Sequence, residues 1–212
     1  MLEEFFKKNK KSGESNKYFN DFTAKGEFAI SNNDSLKSLF SQLAGLTFDN
    51  GILRIHSLGS SYVWTEYITY YFEEYKNKVY SFAFDWLGRQ FSVDLFNKDL
   101  IYMFDPATGE SFKLEQNIFG FFNEDLSIYK EGTLITDEFY QLSNLHLNNL
   151  DFNQCIGYKK ILFLGGEDNI SNLELIDMEV YWEINRQVFR KIKGLPEGMK
   201  INKISFKDTR YS

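Results

Sequence analysis

The sequence predicts an α+β fold: an antiparallel or mixed β-sheet meander packed against several helices. Three observations carry that prediction. Residues 79–114 read as four short β-prone runs separated by tight-turn signals, which favours antiparallel neighbours. The segments on either side repeat their apolar residues at helical spacing. At 212 residues and 43% hydrophobic, the chain can fill a core without disulfide or metal staples.

Along the chain, the polar stretch 7–17 reads as a frayed or mobile segment. Asn33-Asp34-Ser35 then caps a helix bearing Leu36, Leu39, Phe40 and Leu43, which stops near Gly45. Asp49-Asn50-Gly51 is a turn, and Ile52 to Ile55 is a short strand. Ser60 and Ser61 read as the cap of a second helix, with Val63, Trp64, Tyr67, Ile68, Tyr71 and Phe72 on its buried side.

The meander follows: Val79 to Phe84, the bend Trp86-Leu87-Gly88, Phe91 to Leu95, and Leu100 to Phe104. The turn Asp105-Pro106-Ala107-Thr108-Gly109 leads into a last strand with Phe112 and Leu114. Ile118 to Leu126 suits a helix laid across the sheet, and a further helix runs from Thr136 to Asn148. The continuous apolar run Ile161 to Leu164 reads as a buried strand ended by Gly165-Gly166, and Leu173 to Ile176 as one more strand. Asp177 caps a final helix whose acids come early and bases late, which suits the helix dipole, before Gly194 and Pro196 end it.

The formal charge of −6 hides an uneven distribution. Residues 1–17 hold five Lys against three Glu, and residues 186–212 hold eight bases against two acids. The body, 18–185, therefore holds 11 basic against 25 acidic residues, a net −14. Such a body repels a polyanion, so no direct nucleic-acid partner is expected, and a cationic partner is. With one cysteine, Cys155, no intrachain disulfide forms, and no apolar run approaches a membrane span. A cytoplasmic protein without a membrane partner is expected. Cys155, His56 and His146 lack metal-ligand spacing, so no metal or other cofactor is expected.

Few constellations point to catalysis. Asp85, Asp94, Asp105 and Glu110 could supply a carboxylate pair, yet Asp85 and Asp105 sit beside turns, where aspartate is expected to bond backbone N–H groups. Gly165-Gly166-Glu167-Asp168-Asn169 lacks the spacing of phosphate loops, places acids where phosphate needs amides, and offers too few ligands for a calcium loop. Neither histidine has a nucleophile motif nearby. A binding protein is therefore favoured over an enzyme. A carboxylate hydrolase using Asp85, Asp105 or Glu110, and a ligand- or peptide-binding adaptor, stand as alternatives.

The stretch Tyr80 to Phe91, with Asp85-Trp86-Leu87-Gly88-Arg89 at its centre, resembles one bacterial family. So do the turn Asp105 to Glu110, the block Ile118 to Leu126, and the segments Cys155 to Tyr158, Leu162 to Asp168 and Asn172 to Trp182. That family is the C-terminal domain of type VI secretion immunity proteins that protect against DNase effectors, and Leu36 to Phe72 is similar to the GAD-like region preceding it. The sheet-plus-helices pattern also resembles the wider SUKH-type immunity architecture, an analogy of fold alone.

The resemblance implies a non-catalytic antitoxin that binds a cognate secreted toxin, expected to be a basic nuclease domain, in stoichiometric fashion. The resemblance covers about 36–190 and implies a GAD-like helical region 36–78 and an immunity domain 79–194; an N-terminal segment 1–35, expected to be mobile, and a basic tail 195–212 flank them, with 36–212 able to fold as one unit. Asp85, Trp86, Asp94, Glu167, Asp168 and Glu174 are the candidate partner contacts. Trp86, Gly88, Gly165, Gly166 and Trp182 read more naturally as scaffold. Nothing in the sequence fixes an oligomeric state.

Overall fold

Seven strands follow one another in chain order across one antiparallel sheet, so each pairs only with its sequence neighbours. They are β1 (Lys11–Glu14), β2 (Leu46–Phe48), β3 (Leu53–Ile55), β4 (Val79–Asp85), β5 (Gln90–Asp94), β6 (Ile101–Asp105) and β7 (Glu110–Leu114). The computed structural model describes residues 2–14, 19–97, 100–143 and 150–195. The four strands expected between 79 and 114 are present, and the fold is α+β as the sequence predicts.

The N-terminal third differs from its reading. Residues Glu3–Lys8 form α1, and Lys11–Glu14, within the polar stretch, form the edge strand β1 against β2. Polarity is compatible with an edge, because β1 buries little and draws on backbone pairing. Phe5 supplies the apolar anchor and packs edge-on against Phe48 and Phe122. After α2 (Thr23–Ala29) comes α3 (Asp34–Leu43), capped as expected by Asn33, whose side chain accepts from Leu36 N–H at 3.0 Å. Asp49, Asn50 and Gly51 all have positive φ, the backbone that Asn and Gly tolerate best. The helix α4 (Leu58–Tyr71) starts earlier than read: Ser57 is the cap, reciprocally bonded with Ser60, and Ser61 lies inside the helix.

Helices cover both faces of the sheet. On one face α1, α3 and the short α5 (Ile118–Gly120), which runs on as a π-turn over Phe121–Asp125, pack against Phe48, Phe82 and Phe91. On the other, α4 packs against Phe84 and Phe104 together with Trp182. Along β4, Tyr80 and Phe82 join one core cluster and Val79 and Phe84 the other; regular alternation would keep Phe82 and Phe84 on one face, and the register irregularity between Ser81 and Ala83 is what divides them.

The remaining elements are α6 (Lys130–Leu134), α7 (Thr136–Ser143), the two-stranded hairpin of β8 (Gln154–Tyr158) and β9 (Leu173–Asp177), and α8 (Met178–Ile192). Asp177 caps α8 as read, accepting from Val180 N–H at 3.0 Å. The expected strand Ile161 to Leu164 is instead a half-buried 3-10 turn at Leu162–Leu164. Gly165 follows with φ 76, and the N–H of Gly166 bonds back to Ile161. Four apolar residues in a row do not distinguish a strand from a helical turn. The far end of the helix read from Thr136 to Asn148, with Leu145 and His146, and the basic tail 196–212 lie outside the described residues.

Candidate functional site

The turn Asp85-Trp86-Leu87-Gly88-Arg89 joins β4 to β5 and binds the C-terminal elements to the sheet. Asp85 is 0% exposed. One carboxylate oxygen accepts from the N–H of Leu87 at 3.0 Å and of Arg89 at 2.9 Å, and the other takes Arg89 Nε at 2.6 Å. Gly88, with φ 76, allows the chain to double back between them. Arg89 reaches on to the carbonyl of Thr133 in α6 at 2.8 Å, and Trp86 Nε1 donates to that of Leu134 at 2.6 Å. The Trp86 carbonyl accepts from Ile156 N–H in β8, and the Gly88 carbonyl from Trp182 Nε1 in α8 at 2.8 Å. Five consecutive residues thus tie α6, β8 and α8 to the end of the central strands.

Arg54, fully buried beside this turn, donates to the carbonyls of Asp151, Gln154 and Asp85 and lies over the Phe84 ring at 4.4 Å. Burial lowers its pKa to about 10, and the thiol of buried Cys155 is pushed far up by the same cause. Cys155 is therefore a small apolar filler, not a nucleophile.

The expected partner contacts fall into two groups. Asp85 and Trp86 are 0% exposed, so the folded surface offers neither to a partner. Asp94 is half-buried at the far end of β5 and accepts from the N–H groups of Phe96 and Asn97, closing the next turn. Glu167, Asp168 and Glu174 are exposed on or beside the β8–β9 hairpin. Asp168 accepts from Tyr158 Oη at 2.5 Å, and Asn169 donates to Glu167 while capping the turn Ile170–Asn172. Those bonds spend the Glu167-Asp168-Asn169 cluster on turn structure, and no group of potential metal ligands occurs among the described residues.

The sequence reading missed how far the acidic surface extends. Asp177 is exposed beside Glu174, and half-buried Glu179 is held above its ordinary pKa by burial first and by Asp177 second. The signal was available: residues 161–185 contain six acids, Glu167, Asp168, Glu174, Asp177, Glu179 and Glu183, and no Lys or Arg. Leu175 and Val180, 45% and 42% exposed, stand among them. Arg186 and Arg190, which follow, are engaged internally. Arg186 pairs with Glu183, and Arg186 and Arg190 lie over the Tyr70 ring at 4.3 and 4.6 Å.

The carboxylates of the hydrolase reading share no open surface. Asp85 is sealed, Asp105 accepts from Ala107 N–H in its own turn, and Glu110 faces solvent. Burial pushes both Asp85 and Asp105 up, against the pull of Arg89.

A serine–histidine contact does exist, deep in the core. His56 Nδ1 lies 3.1 Å from Ser60 Oγ and Nε2 lies 2.9 Å from Gln90 Oε1, with all three side chains buried. Burial lowers the His56 pKa from 6.5 to about 3. As pH falls between those values, the unfolded chain takes up a proton that the folded chain refuses. Stability therefore falls with falling pH in that window, by about 1.4 kcal/mol per pH unit for this group. His56→Gln is expected to remove that slope. Urea unfolding of both proteins at about pH 7 and about pH 5 measures it, and equal slopes would rule out a buried neutral imidazole.

Comparison with known proteins agrees with this architecture. The crystal structure of Atu4351 from Agrobacterium tumefaciens has a similar fold, with TM-score 0.60 and 13% sequence identity, covering 88% of this chain and 89% of that one. No curated protein matches the chain. Residues 131–188 match the family described as T6SS immunity protein Tdi1, C-terminal, a segment that takes in β8, β9 and most of α8 and begins after the Asp85–Arg89 turn. No helix among the described residues is long and apolar enough to cross a membrane.

Proposed function

We propose that this protein neutralises a cognate type VI secretion toxin by stoichiometric, non-catalytic binding in the bacterial cytoplasm, and that the toxin is a nuclease. The family match carries the first half of this reading. The acidic stretch 161–185 supports the second, because a nuclease must present cations to phosphate and a surface with an excess of exposed carboxylates complements those cations. Glu167, Asp168 and Glu174, exposed around the hairpin, are the proposed contacts, whereas Asp85 and Trp86 shape the scaffold beneath them.

Co-purification with the toxin domain encoded by the neighbouring gene, at equal stoichiometry and with protection of target cells, tests the core of the proposal. Failure to bind that domain would overturn it. For the electrostatic part, reversing Glu167 and Asp168 to lysine should slow association by roughly tenfold at low salt and change dissociation much less. An association rate that ignores both the reversal and the salt concentration would place the contact elsewhere.

A further inference from the structure

The β8–β9 hairpin leaves one strand edge open. Ile156 N–H turns away from β9 to bond the carbonyl of Trp86, so its pair with Leu175 is of the non-hydrogen-bonded kind. The neighbouring pairs, Cys155 with Ile176 and Gly157 with Glu174, therefore carry the ladder bonds. It follows that the N–H and C=O of Leu175 point outward from β9, and no described residue pairs with them.

Three features distinguish this edge. The terminal strands of the large sheet carry Lys11 and Lys113, the residue type that most discourages strand addition, whereas β9 carries no Lys or Arg and its charges are both acidic. Glu174 and Asp177 are exposed along β9, and Leu175 and Val180 add apolar surface between and beside them. The edge is also rigidly backed: β8 is bonded to the Asp85–Arg89 turn, and Gly157 is so closed in by the Tyr181 ring that a Cβ there would lie 2.6 Å from it.

We infer that the outer edge of β9 is a strand-addition site for an extended, Lys/Arg-bearing segment of the toxin, an inference that rests on the neutralisation reading above. Backbone bonds to Leu175 would supply affinity, apolar side chains would cover Leu175 and Val180, and the bases would meet Glu174 and Asp177. A second copy of this chain is the poorer occupant, because two such edges side by side would set Glu174 and Asp177 against like charges.

The test is amide hydrogen exchange on the full chain, free and bound to the toxin domain encoded by the neighbouring gene, combined with binding measurements on Leu175→Pro and Glu174→Lys. Leu175→Pro removes an outward N–H that bonds to no described residue, so an edge strand tolerates it. Expected are strong protection of the Leu175 amide in the complex and roughly tenfold or greater weakening by either variant. Unchanged Leu175 exchange in a formed complex would overturn strand addition and leave neutralisation standing. Absence of any complex with the wild-type chain would overturn both. Should Leu175→Pro fail to fold, the wild-type exchange measurement decides alone.

Discussion

Trp86→Ala is expected to destabilise the fold by about 3–5 kcal/mol, a large part of the roughly 5–15 kcal/mol that holds an ordinary domain together. The indole is 0% exposed, packs edge-on against Phe139 with ring centroids 5.5 Å apart, and donates to the carbonyl of Leu134. Truncation leaves a cavity at the junction of sheet and C-terminal elements and an unpaired buried carbonyl. Trp86→Phe keeps most of the packing and loses the donor, so a smaller loss, about 1–3 kcal/mol, is expected. Urea denaturation followed by circular dichroism measures both. If the alanine variant stayed within about 1 kcal/mol of the parent, the turn would not be the joint described.

The second large effect is expected at Asp85→Ala, again about 3–5 kcal/mol, because the Arg89 guanidinium would remain buried without its counter-ion. Two backbone N–H groups of the turn would lose their acceptor at the same time. Replacing Asp85 and Arg89 together by apolar residues should cost less than the sum of the single changes, since no lone charge is then left inside. A double-mutant cycle by the same denaturation assay tests this. Strict additivity would mean that the pair contributes no coupling beyond its separate contacts.

These two positions also show where sequence reading is strong and where it stops. The four-strand meander, the Asn33 and Asp177 caps and the Asp49-Asn50-Gly51 turn were legible because each depends on local chemistry: a cap accepts from an N–H three residues away, and a positive φ selects Asn or Gly. The pairing of β1 with β2 was not, since Gly13 meets Thr47 across more than thirty residues and β1 has almost no apolar pattern. The run Ile161 to Leu164 was misread because apolarity without period does not choose between strand and turn.

Among the candidate contacts, the acids were visible but not their depth. Asp85 and Glu174 look alike in sequence, and only the fold places one in the core and the other on the surface. The open edge of β9 was invisible for a further reason, since it depends on which way Ile156 N–H turns.

The order of strands along the chain has a consequence for synthesis. Because β1 to β7 pair only with sequence neighbours, the whole sheet can assemble as the chain leaves the ribosome, each strand on the edge of the one before. The sheet is complete at Leu114, whereas α8 ends at Ile192. At roughly 5–20 residues per second, some 4–16 seconds separate the two. During that interval the underside of the Asp85–Arg89 turn waits uncovered for Thr133, Leu134, Ile156 and Trp182 to arrive. The acidic hairpin is among the last parts to be built, so a nascent chain acquires its scaffold well before that surface.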